Sequence, residues 1–183
     1  VWKLGLETLA WERLPDLQHQ RGDGGETVVG VCVVRGGTLV ALSAGLTRSN
    51  ELNVEVLERG AGAWRSLPPL AIGVRSRFCA LEVEESVSVE GQLGIIGGHT
   101  MIDGDHDESD EMYIVDLATG MCALQPPRLG IPRAECAWAR LPDKRIVVAG
   151  GWRSAAMHPA GNLNSAEVWE PPTGAWRELE GMG

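Results

Sequence analysis

Side chains able to do chemistry are densest between residues 99 and 113, in HTMIDGDHDESDEMY. There Asp103, Asp105, Asp107, Glu108, Asp110 and Glu111 stand beside His99 and His106. Carboxylates alternating through a glycine-containing loop are what a calcium loop uses, because a hard cation is satisfied by several oxygen ligands. The register fails. A loop of that kind starting at Asp103 needs Gly at its sixth place and Glu at its twelfth, where this chain has Glu108 and Ile114. The segment is therefore read as a solvated acidic loop open to a partner, with no metal site assigned. Cys32, Cys79, Cys122 and Cys136 contain no C-x-x-C pair and have no His at a metal-ligand spacing. They read as small buried hydrophobes with reduced thiols. No G-x-S-x-G, P-loop or G-x-G-x-x-G stands in its required context. No catalytic residue and no cofactor is assigned.

The bulk chemistry narrows the function classes. Across 183 residues the net charge is −9, from 16 Lys and Arg against 25 Asp and Glu. A nucleic-acid or anionic-membrane surface needs clustered cations, so neither is expected as a partner. The longest apolar runs, near 146–149 and 31–34, are too short to span a bilayer as a helix. The opening VWKLGLETLAW lacks the basic start and apolar core of a signal peptide. A cytoplasmic or nuclear setting follows as the expectation. Twenty-four Gly and seven Trp, against one Tyr and one Phe, suit an all-β chain rich in turns.

The elements that position these residues repeat. A small-residue–glycine pair closes an apolar run three times, at LVALSAG ending on Gly45, LGIIGG ending on Gly98 and IVVAGG ending on Gly151, spaced 53 residues apart both times. A second marker keeps the same phase: AWERLP from Ala10, AWRSLP from Ala63, MCALQP from Met121 and AWRELE from Ala175. Thr8, Thr119 and Thr173 sit at matching places just before it, in tight-turn sequences. Each repeat then reads as four short strands, bounded by turn residues. The spans are 28–34, 38–44, 53–58 and 63–67; then 78–83, 92–96, 112–117 and 121–124; then 134–141, 145–149, 166–170 and 175–179.

These residues resemble the Kelch family, whose repeat is of this length. The correspondence is Gly97-Gly98 and Gly150-Gly151 after the second strand, and Tyr113 and Trp169 on the third. Trp11, Trp64 and Trp176 open the fourth, and Arg77 and Arg133 begin the first. Gly45 follows Ala44 where the family has a diglycine, and Cys122 replaces a Trp. The resemblance covers nearly the whole chain. It implies an all-β propeller of four-stranded antiparallel blades, with about three and a half blades present. The region 1–183 divides into blades at 28–67, 77–125 and 133–180, with 1–14 supplying the last two strands of a preceding blade. A ring closes only when its last blade meets its first, so the remaining blades of a longer parent chain are expected as partners. Trp64, Trp169 and Trp176 are expected as wedges between blades.

In such a blade the loops after strand two and before strand one share a face. That face would gather Arg48, Asn50, Arg75, Arg77, His99, Asp105, Arg133, Arg153, His158 and Asn162. Loops on a rigid scaffold are where binding resides, and resembling domains bind peptides there. Arg75 and Arg77 are expected to pair with the acidic loop. The leading functional reading is a protein–protein interaction module, serving as a scaffold or substrate-recognition part of a larger protein. Two alternatives stand beside it: a portion of a propeller enzyme whose active site lies on other blades, and a degenerate structural fragment. Copper-dependent relatives need two Tyr and two His, and this chain has one Tyr.

Overall fold

Short β-branched runs separated by Gly- and Asp-bearing turns form an all-β chain in the computed structural model. It describes residues 1–5, 7–18, 27–44, 51–73, 75–83, 91–102, 105–154, 161–171 and 173–181. The strands are β1 (Trp2–Gly5), β2 (Ala10–Arg13), β3 (Thr27–Val34), β4 (Thr38–Ala44), β5 (Leu52–Leu57), β6 (Arg65–Ser66), β7 (Arg75–Ser76), β8 (Cys79–Glu82) and β9 (Gln92–Ile96). They continue as β10 (His99–Ile102), β11 (Asp105–Glu108), β12 (Met112–Asp116), β13 (Cys122–Leu124), β14 (Ala137–Arg140), β15 (Ile146–Ala149), β16 (Trp152–Arg153), β17 (Gly161–Asn162), β18 (Ala166–Glu170) and β19 (Ala175–Leu179).

Three four-stranded antiparallel sheets are the blades of a partial propeller: β3-β4-β5-β6, β8-β9-β12-β13 and β14-β15-β18-β19. In the second and third blades the connection after the second strand carries a hairpin of its own. The first of these, β10–β11, joins β7 in a small sheet, and the second is β16–β17. The acidic segment is thus two paired strands, with His99 opposite Glu108 and Thr100 opposite Asp107, and not a simple solvated loop. No helix among the described residues is long and apolar enough to cross a membrane.

Strand periodicity explains the core. Successive side chains point to opposite faces, and each central blade is covered on both. On β9, Leu93 and Ile95 join a cluster with Val40, Leu42, Val54 and Val56 of the first blade. Ile96, on the other face, joins Ile146, Val148 and Trp169 of the third. On β12, Val115 faces the first blade and Met112 the third.

The turn threonines do one job three times. Thr8, Thr119 and Thr173 each accept, through Oγ1, the N–H two residues on, at 3.4, 3.2 and 3.3 Å. The diglycine has a steric reason. Gly98 adopts φ +94°, and a Cβ there would lie 2.7 Å from the Ser76 carbonyl oxygen. Its N–H donates to the Arg133 carbonyl at 2.9 Å, joining adjacent blades. Gly45 lies outside the described residues.

The tryptophans divide. Trp64 is 2% exposed and donates Nε1–H to the Pro15 carbonyl. Trp169 is buried, and Trp176 pairs across from it in a half-buried position. Trp11 departs from the expectation of a structural position. It is 65% exposed, on a ribbon of β1 and β2 that no further strand joins among the described residues.

Candidate functional site

Two of the arginines assigned to the loop face turn inward. Arg75 is 1% exposed. Its Nη1 donates to the Gly97 carbonyl at 2.9 Å and to Ser109 Oγ at 2.8 Å, and its Nη2 to Glu111 Oε2 at 2.8 Å. Arg133 is 0% exposed and repeats the pattern one blade on. Its donors reach the Gly150 carbonyl at 2.9 Å, Ser165 Oγ at 3.3 Å and Glu167 Oε1 at 2.8 Å. A buried guanidinium persists only where its donors meet acceptors. These two are thereby fixed as blade framework and are not offered to a partner.

The lattice tunes its own carboxylates. Burial acts to raise the Glu111 carboxyl. Bonds from Arg75 and Tyr113, with the charges of Arg75 and Arg128, outweigh burial and hold it below the ordinary carboxylate value. The Tyr113 hydroxyl is raised by burial and by its bond to Glu111. Glu167 Oε2 also accepts the Gly130 N–H at 2.7 Å. In the first blade the buried Glu55 accepts the Gln18 N–H through Oε2 at 2.7 Å. Sequence reasoning missed this set, although a signal was present. The triplets NVE, SDE and SAE place Glu55, Glu111 and Glu167 at equal intervals of 56 residues.

Above the lattice, between the second and third blades, a cleft of about 540 Å³ opens on the loop face. It is lined by Ser76, Arg77, His99, Glu108, Glu135, Trp152 and Ser154. The chain brings Arg77 and Glu135 there from the turns that precede β8 and β14. Both hold positive φ, +54° and +56°, a region in which non-glycine residues are uncommon and which clusters at functional sites. The Glu135 N–H donates to the Arg77 carbonyl at 2.9 Å, and their side chains form an exposed ion pair.

Glu108, at the end of β11, forms the wall of the cleft with a side chain only 4% exposed. Its Oε2 accepts the Ser154 N–H at 2.8 Å and the Ser154 hydroxyl at 2.6 Å. Its Oε1 faces His99 Nδ1 at 3.3 Å, and neither atom makes a hydrogen bond. The His99 ring lies 5.7 Å from the Trp152 ring, tilted by 46°. The arrangement sets a fixed negative charge in the wall of the cleft beside a partly exposed indole, a set suited to a cationic group.

The other assigned residues are dispersed. Arg153 is half-buried on β16, opposite Gly161, and the exposed Asn162 pairs across from Trp152 on β17. Asp105 lies on β11 opposite Ile102. Arg48, Asn50 and His158 lie outside the described residues. Glu108, Glu135, Trp152 and Ser154 were not singled out from the sequence. Trp152 follows the diglycine, so the repeat pointed to it; Glu135 stands where Arg77 stands one blade earlier only in the structure, because the sequence matched Arg77 with Arg133. A larger cavity, about 710 Å³, opens beside the β1–β2 ribbon. None of its lining side chains carries a buried, unpartnered polar atom. Among the described residues no group of three His, Cys, Asp or Glu could hold a metal ion.

Residues 141–183 match the Kelch motif. An F-box/kelch-repeat protein of Arabidopsis thaliana is 26% identical over 178 residues, covering 94% of this chain and 47% of that protein. The solved structure of YjhT matches with a TM-score of 0.70 at 13% identity, over 93% of this chain and 54% of that one. At that identity the likeness is one of fold. The chain spans about half the length of the curated relative and of the solved chain it matches.

Proposed function

We propose that the chain, whose residues 141–183 match the Kelch motif, is a protein-interaction module that holds a protein or peptide on its loop face, anchored in the cleft between the second and third blades. Glu108 carries this reading. Its carboxylate is buried in the cleft wall, with one oxygen filled by Ser154 and the other set against His99 Nδ1 at 3.3 Å. Its negative charge in the wall, with that of the exposed Glu135 at the rim, would attract a cationic group into the cleft. The indole of Trp152 would cover a cationic side chain, and the exposed Arg77–Glu135 pair would be cheap to open. A peptide presenting Lys or Arg fits best. In a longer chain the module would act as a scaffold or substrate-recognition part, in the cytoplasm or nucleus, and its net charge of −9 favours basic protein segments over nucleic acid or membrane.

The test is selection from a random peptide library displayed against the purified chain. Enriched peptides should carry a basic residue, lose at least tenfold in affinity on Glu108→Gln or Trp152→Ala, and keep their affinity on Arg145→Ala. Peptides that bind both cleft variants as well as the parent would place recognition elsewhere.

A further inference from the structure

We propose that Cys79 and Cys136 form a reversible disulfide that staples the second blade to the third. Cys79 opens β8 and is buried; Cys136 immediately precedes β14 and is half-buried. Their sulfurs lie 2.8 Å apart, and Cys79 Sγ is 3.2 Å from the Cys136 carbonyl oxygen. A disulfide sulfur pair lies at about 2.05 Å, so closure needs an approach of about 0.8 Å. The backbones on either side are already tied. Glu135 N–H donates to the Arg77 carbonyl at 2.9 Å, and Gly98 N–H to the Arg133 carbonyl at 2.9 Å. Hence the thiols are held face to face before any bond forms. Cys122 sits apart, on β13, against the cluster shared with the first blade.

The two thiols are not equivalent. The hydrogen bond from Cys79 lowers the Cys136 thiol; burial opposes this and the Arg133 charge assists it. Cys136 is also the more exposed of the two, which makes it the attacking thiolate. The oxidant is a small-molecule disulfide. Cys136 thiolate attacks one of its sulfurs, forming a mixed disulfide and releasing one small thiolate. Cys79 then gives up its proton and attacks Cys136 Sγ, forming the protein disulfide and releasing the second small thiolate. Two protein thiols lose two protons and two electrons, and one small disulfide becomes two thiols. The link closes a long loop and joins strands of different blades, so it stabilises the inter-blade contact chiefly through the unfolded chain. Cys136 follows the cleft residue Glu135 in the chain and Cys79 lies two residues from Arg77, but formation of the link does not depend on that cleft binding anything.

The experiment titrates the chain with oxidised glutathione, then alkylates, digests and maps it by mass spectrometry. The expected result is a species two hydrogens lighter than the reduced chain. It contains a peptide linking Cys79 to Cys136, melts several degrees higher, and reverts with dithiothreitol. Cys122→Ala should keep the link, and Cys136→Ala should lose both the link and the rise in melting temperature. The proposal is overturned if Cys136 stops at a mixed disulfide while Cys79 still alkylates, or if another pair is joined instead. Because the parent chain gives the mapping result, a poorly folding variant leaves the test intact.

Discussion

In the second blade Arg75 holds Gly97, Ser109 and Glu111; in the third, Arg133 holds Gly150, Ser165 and Glu167 in the same manner. Two residues further on, the correspondence breaks. Arg77 and Glu135 occupy equivalent positions with the same left-handed backbone, yet they carry opposite charges and pair with each other across the blades. The molecule therefore has a layer that repeats and, above it, a layer that does not. Buried charge explains the first. A guanidinium without water is held only where acceptors meet its donors, so the same arrangement recurs in the second and third blades. Solvent explains the second. An exposed pair contributes little to stability, so side chains there are free to differ from blade to blade.

The largest effect that could break this comparison belongs to the lattice. Arg133→Ala leaves Glu167 buried without its counter-charge and should destabilise the chain by about 3–5 kcal/mol in a urea titration. A loss below about 1 kcal/mol would mean that the repeated bonds are not the framework. Gly98→Ala comes next. It forces a left-handed backbone on alanine and drives a methyl into the Ser76 carbonyl, for an expected cost of about 1–3 kcal/mol. An unchanged denaturation midpoint would contradict the close approach of the blades.

Acid probes the same layer more gently. The Glu111 carboxyl is held below its ordinary value near 4.5. A group depressed in the folded state contributes stability that is whole above its unfolded value and is lost as pH falls through the folded one. Stability should thus decline as pH falls below about 4.5 and through the lower folded value, and Glu111→Gln should flatten that decline. A slope unaltered by the substitution would remove Glu111 from the account. The smallest effect sharpens the contrast from the other side. Arg77→Ala should change stability by less than about 1 kcal/mol, measured in the same titration. A loss as large as that of Arg133→Ala would erase the distinction between the two layers.

The sequence reveals these layers unequally. The blade strands were legible because apolar runs, turn threonines and diglycines keep one phase. The span 92–96 coincides with β9, and 166–170 and 175–179 coincide with β18 and β19. The hairpin β10–β11 was hidden. Its residues, HTMI and DHDE, show no clean alternation of apolar and polar side chains, since it covers the face of the blades and is not part of their core. The buried arginines were misplaced for a related reason. Arg is seldom fully buried unless paired, and the partners that bury Arg75 lie 22 to 36 residues away in sequence. Of the residues lining the cleft, His99 and Arg77 were named from their place in the repeat. Glu108 was counted among the acidic residues but could not be distinguished from its neighbours, because only the fold turns it between Ser154 and His99.

The most direct test of the two-layer account is amide chemical-shift mapping of the chain as a selected basic peptide is titrated in. The account predicts that the largest changes fall at Ser76, Arg77, His99, Glu108, Glu135, Trp152 and Ser154, with Arg75, Arg133 and their carboxylates nearly still. Changes centred instead on the β1–β2 ribbon and the cavity beside it would contradict the assignment of recognition to the loop face.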